Sequence, residues 1–352
     1  MSEPRGWVEH PLVHLTKVRY REFFREPEAV FWVFVFPVLL AAGLGIAFRN
    51  RAPERTSIAV MAVDTSSSTL AAALQRTEGV DVSLLSDSAA GEALRTGEVV
   101  LVLVPTGATG VEYRYDDTRP ESRVARLLVD DALQRAAGRR DPVRLQERLV
   151  RERGSRYIDF LVPGLLGMNL MGSGIWGVGF AIVDARKKRL LKRLIATPMS
   201  RTQYLASFVL SRLTLLVIEV GLLLGFGALV FGVPFRGSIM VLATICVVSS
   251  LSFTSLGLLV ASRVQTMEGA SGLMNLVMLP MWIFSGVFFA ASRFPESLQP
   301  FIQALPLTAV VDALRANILR GAGWQALAPE IAIILAWMLV CFLLAVRLFR
   351  WR

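Results

Sequence analysis

Histidine and cysteine are scarce in this chain, with two of each among 352 residues. Cys246 and Cys341 both fall inside apolar stretches, so they offer no disulfide framework, no zinc spacing and no catalytic thiol. Both are most simply small buried apolar residues. His10 and His14 stand at i,i+4 spacing, but no third ligand clusters with them. The pattern GxxxxGK[ST] is missing, which removes the usual phosphate cradle of an ATP-hydrolysing chain. No grouping of His, Asp or Cys gives a membrane-embedded enzyme its reacting constellation. Charged residues make up only 19% of the chain, below the ~25% common in soluble domains.

What the chain has instead is long apolar runs. Hydrophobic residues reach 54%, and a bilayer needs about 20 consecutive apolar residues per helical span. Residues 29–48, 160–183, 239–261, 270–291 and 331–346 with its flanks meet that requirement. Residues 205–231 do so too, interrupted by Arg212 and Glu219. The expected fold is an α-helical polytopic membrane protein with six transmembrane helices and an α/β extracytoplasmic domain inserted between the first and second. The first run follows a charge-rich segment and exceeds the length of a signal-peptide core, so it reads as an uncleaved helix.

The net charge of +10 invites a nucleic-acid reading until its location is counted. From Arg49 to Arg156 there are 17 Arg and Lys against 16 Asp and Glu. The hydrophilic insert is nearly neutral, and the basic excess flanks the spans, where it signals topology and not a nucleic-acid partner. Lys17, Arg19, Arg21 and Arg25 precede the first span. Arg186, Lys187, Lys188, Arg189, Lys192, Arg193 and Arg201 follow the second, Arg263 follows the fourth, and Arg347, Arg350 and Arg352 follow the sixth. This alternation places both termini in the cytoplasm of a multi-pass protein of the inner or plasma membrane, with the insert on the opposite side.

The expected organisation follows. Residues 1–28 form a cytoplasmic amphipathic helix, 29–48 the first span, 49–157 the inserted domain and 158–352 a five-helix membrane domain. The insert opens with TSIAVMAVD, an alternating strand pattern. Helices are expected around residues 70–76 and 89–95, strands at VDVSLLS, VVLVLVP and VEYRYDD, and a charged helix over 119–153. The acidic pairs Asp116–Asp117 and Asp130–Asp131 read as solvated surface. The cytoplasmic segment 184–200 places Leu190, Leu191, Leu194 and Ile195 on one helical stripe opposite Arg189, Lys192 and Arg193. Pro198 ends or kinks that helix. Such a helix either obeys the positive-inside rule alone or docks a cytoplasmic partner.

Polar residues inside spans are the other candidates, because a charge there is costly and faces a cavity or a partner. Arg212, Glu219 and Asn275 are the candidate polar residues of an intramembrane path. Arg212 and Glu219 share a helical face, and Glu219 reads equally as a path or dimer-interface residue and as a structural hydrogen-bond partner of another span. Residues 292–322, broken by Pro295, Pro300 and Pro306, suit a re-entrant or interfacial segment. Asp312 and Arg315 are spaced to pair locally within it.

LLKRLIATPMSR after span two, FSGVFF ending span five and LPLTAVVDALRANILRG before span six together resemble the membrane subunits of ABC type-2 transporters, over nearly the whole chain. The insert is similar to the extracytoplasmic domain of one subgroup. The resemblance implies an exporter permease for an amphipathic substrate such as a drug or lipid. It implies separate cytoplasmic ABC ATPase subunits that carry ATP and Mg, and no cofactor bound by this chain. It also implies a second permease copy or homologue, contact with membrane lipid, and room for a periplasmic adaptor. Arg186, Lys187, Leu191, Lys192, Arg193, Leu194, Thr197 and Pro198 are then the residues expected to couple to the ATPase. Many relatives carry Glu-Arg-Glu and Gly-Thr-Leu-Glu in that segment. Here Asp184, Arg186, Lys187 and Leu190-Leu191-Lys192 depart from it, while Thr197 and Pro198 match. The competing readings are an ion-coupled secondary transporter using Glu219 and a membrane receptor with an extracytoplasmic sensor.

Overall fold

The computed structural model describes residues 11–48, 55–107, 110–139, 154–187 and 201–348. The chain separates into two compact units, Met1–Arg49 with Arg151–Arg352, and Asn50–Val150.

The smaller unit is a four-stranded sheet in the order β2-β1-β3-β4. Strands β1 (Thr56–Met61), β2 (Val80–Leu85) and β3 (Leu101–Thr106) run parallel, and β4 (Gly110–Arg114) pairs antiparallel with β3. Parallel neighbours need crossovers, supplied here by α3 (Thr65–Gln75) and α4 (Asp87–Thr96). Alternation along the strands divides the core. Ile58, Val60, Val82, Leu101 and Leu103 pack with Leu74 of α3 and with Ala125 and Val129 of α5 (Pro120–Ala136). Ala59, Val102 and Val104 face the other way, against Ala90 and Ala93 of α4. A sheet covered on both faces explains why β1 and β3 are near-continuous apolar runs. Asp64 caps α3 by accepting from the Ser66 N–H at 2.9 Å, and α4 ends on left-handed Gly97 at φ 79°. Half-buried against α5, the Tyr113 hydroxyl donates to Asp130 at 3.3 Å; partial burial first, then the Asp130 charge, pushes its pKa up to about 12.

The larger unit is helical. It begins with α1 (Pro11–Arg25), which packs on α7 (Arg201–Phe231). Among the described residues, five helices are long and apolar enough to cross a membrane: α2 (Pro27–Ala47), α6 over Tyr157–Asp184 of its full extent Tyr157–Lys187, α7 over Leu210–Phe231, α8 (Ile239–Ala261) and α12 (Ala328–Leu348). A sixth candidate is a pair bent by 85°, Glu296–Ala304 with Pro306–Arg320. Of the most apolar windows, 61% of that in α6 and 56% of that in α8 are buried, against 17% in α2 and α12. Helix α6 is therefore the hub of the unit, in contact with α2, α7, α8, α9 (Met267–Phe284) and α11 (Pro306–Arg320).

Small residues let these helices approach. A Cβ on Gly257 of α8 would meet the Ile175 carbonyl at 2.7 Å, and one on Gly174 of α6 would meet Phe253 Cβ at 2.7 Å. Close helix approach at such small residues is a common means of helix association in lipid, where apolar burial supplies little drive.

One expected span differs in kind. Residues 270–291 were expected to form a continuous span, but α9 stops at Phe284, Ser285 is its C-cap, and Gly286 takes a left-handed φ of 76°. The apolar run continues because Val287 is buried in the turn that follows, not because the helix goes on. The five clear candidates do not include α9. The segment after it holds α10 (Gln299–Ala304) and α11, with Pro300 and Pro306 in their first turns, where a missing N–H costs nothing.

Candidate functional site

Arg212 and Glu219 stand seven positions apart on α7, about 10.5 Å along the axis at 1.5 Å per residue. The long arginine side chain closes that gap. Arg212 Nη1 donates to Glu219 Oε1 at 2.8 Å and Nη2 reaches Oε2 at 3.5 Å. The Glu219 side chain is fully enclosed and that of Arg212 is 18% exposed. The pair is not isolated. Arg212 Nη2 donates to the Ser173 hydroxyl on α6 at 2.5 Å, and Nε donates to the Ser250 hydroxyl on α8 at 3.3 Å. Ser173 donates to the Asn169 carbonyl at 2.7 Å and its oxygen lies 3.2 Å from Glu219 Oε2. A hydroxyl carries one proton, so these two acceptors compete for it. The Asn169 amide donates to the Val33 carbonyl on α2 at 3.1 Å. One polar network thus ties α2, α6, α7 and α8 in the apolar interior.

The chemistry of this cluster is electrostatic matching. A lone carboxylate at this depth would face a large desolvation cost. The guanidinium and two hydroxyls return much of it, as buried polar groups require. Of the two readings left open for Glu219, the hydrogen bond to a neighbouring span is present, to Ser173 of α6. Asn275 does not join the cluster. It lies exposed on α9 beside exposed Leu276 and Leu279. Asn169, Ser173 and Ser250 are the residues that apolar-run counting passed over. The available signal was polar Asn169 and Ser173 at i,i+4 within an apolar span.

Arg186, at the end of α6, uses its guanidinium on the free carbonyls at the C-terminal end of α8. Nη1 donates to Ala261 at 3.1 Å and Val264 at 2.6 Å, and Nη2 to Ser262 at 3.4 Å. A cation there also complements the negative end of the helix dipole. Lys187 is exposed. Leu191, Lys192, Arg193, Leu194, Thr197 and Pro198 lie outside the described residues.

A second cation inside the helical unit is half-buried Arg315, whose charge and that of Asp312 favour one another as their spacing suggests. Arg315 of α11 donates its hydrogen bonds to carbonyls: Nε and Nη2 to Phe160 at 3.2 Å each, and Nη2 to Gly286 at 2.5 Å. Its Cζ sits 3.4 Å from the centroid of the Phe160 ring. This clamp joins α11, the start of α6 and the turn after α9. The turn supplies carbonyls that the i,i+3 charge rule ignores. At the same end of α6, Arg156 grips buried Asp159 with Nη2 to Oδ1 at 2.8 Å and Nε to Oδ2 at 2.9 Å.

Residues 28–347 match the family described as ABC-2 family transporter protein. The chain belongs to that family. It is a multi-pass membrane protein, and ABC-2 permeases in general partner with ABC ATPase subunits. Among its relatives, ABC transporter G family member 20 of Dictyostelium discoideum is 28% identical over 54% of this chain and 27% of its own length. Nodulation protein J of Bradyrhizobium diazoefficiens is 28% identical over 57% of this chain and 77% of its own. Probable multidrug ABC transporter permease YbhR of Escherichia coli strain K12 is 23% identical over 50% of this chain and 49% of its own. The chain thus spans about a quarter of the first relative and half of the third. None of these names favours the secondary-transporter or receptor reading over the ABC-2 permease.

Proposed function

We propose that this ABC-2 permease works as an exporter, moving an amphipathic substrate outward when partner ATPases bind and hydrolyse ATP. The observation that carries the reading is the family match over residues 28–347. In the proposed arrangement there are six spans, both termini lie in the cytoplasm, and the α/β insert lies outside. The basic residues flanking the spans support that orientation. The sixth span is the bent pair or α9; each enters the apolar core. Segment 184–200 is the coupling helix, with the apolar stripe of Leu191 and Leu194 and the basic face of Lys192 and Arg193 as its docking surface. Thr197 and Pro198 terminate it. The wording multidrug in the name of YbhR supports an apolar or amphipathic cargo by analogy. A second permease copy or homologue completes the path, and ATP and Mg stay on the ATPase.

The test is to change the docking surface without touching the spans. Leu194→Asp, and the charge reversal of Lys192 and Arg193 to Glu, should abolish substrate-coupled ATPase activity while membrane insertion is unchanged. Normal transport by both variants removes the docking assignment.

A further inference from the structure

The first span contains a proline where an unbroken helix would need a donor. In an α-helix the Val33 carbonyl would accept from the N–H of residue 37, and Pro37 has none. Helix α2 widens at this point into a π turn over Phe31–Val35, with the Phe36 N–H reaching back to the Phe31 carbonyl. Single π turns often sit where a helix carries function. In lipid no water is at hand for a carbonyl left without its α-type partner. Asn169 of α6 meets it, its Nδ2 donating to the Val33 oxygen at 3.1 Å. Asn169 is itself buried and anchored through its own carbonyl, which accepts the Ser173 hydroxyl at 2.7 Å. Ser173 in turn touches Arg212 and Glu219.

From this geometry we infer that Phe31–Pro37 is a hinge in the first span, and that Asn169 is the positioning residue that sets its angle. The hinge lies directly after α1, which packs on α7. A displacement of α1 relative to the spans bends α2 where its ladder is interrupted. The side chain of Asn169 passes that bend to the network joining α6, α7 and α8. The hinge is a property of this chain alone. Only its use in transport rests on the exporter reading above.

Amide hydrogen exchange on the purified chain in lipid nanodiscs tests this without any ATPase. The account predicts that Asn169→Leu raises exchange in peptides covering residues 31–43 at least tenfold, with α12 unchanged as the internal control. Asn169→Gln, which keeps a donor, should lie nearer the native chain than Asn169→Leu does. The decisive arm is Pro37→Ala, which returns an N–H to position 37. In that background Asn169→Leu should change exchange over 31–43 less than threefold, because the Val33 carbonyl has regained a local donor. An equal rise with and without Pro37→Ala overturns the inference, and so does a rise spread over α12 as well. Unaltered exchange in Asn169→Leu overturns it too. A failed docking test at Leu194 would leave these outcomes untouched, so the two ideas fail separately.

Discussion

Glu219 and Arg212 are each expensive to bury alone and tolerable together. Removing one partner leaves an uncompensated charge among apolar spans, a loss of roughly 3–5 kcal/mol for buried pairs. Removing both restores neutrality and leaves two serine oxygens, of Ser173 and Ser250, without the arginine donor. Glu219→Leu and Arg212→Met singly should therefore lower the melting temperature of the purified permease strongly. The double variant should recover more than half of the loss. Additive losses in thermal melts of the four proteins would show that the two side chains are energetically independent, against the 2.8 Å contact. The same reasoning accounts for Arg315, whose charge is spread over backbone carbonyls and the Phe160 ring instead of a carboxylate.

At the scale of elements, the close crossing of α6 and α8 carries the hub. Gly257 has no room for a larger side chain, because the atom in its way is the Ile175 carbonyl, part of a backbone that cannot rotate aside. Gly257→Val should push the helices apart and destabilise by about 1–3 kcal/mol, the usual range for overpacking. Gly177, whose added Cβ meets nothing within 4 Å, is the matched control, and Gly177→Ala should leave the melt unchanged. The strands of the insert were legible from TSIAVM, VDVSLL and VVLVLVP, because alternation and β-branching mark a buried sheet directly. The end of α9 was not, because Val287 and its neighbours are apolar for packing in a turn and mimic a continuing helix. Hydropathy counts burial without regard to backbone conformation. Likewise the charged pair on α7 was visible from spacing, whereas Ser173, Ser250 and Asn169 enter the network only through the three-dimensional crossing of other helices.

For the whole molecule, an α/β unit and a hub of packed apolar helices make up the described residues of this ABC-2 family chain. In the proposed account the energy comes from partner ABC ATPase subunits, and the docking face lies in segment 184–200. Arg186 gives that segment a mechanical connection inward, since it leaves α6 at the point where a guanidinium holds the end of α8. Force applied after residue 187 would reach two spans at once. Co-purification of the permease with an ABC ATPase from the same cell, followed by ATPase assays in nanodiscs with candidate amphipathic substrates, tests this most directly. The account predicts a stable complex whose ATP hydrolysis rises with substrate and loses that response in Leu194→Asp. A permease that transports while recruiting no ATPase would contradict it.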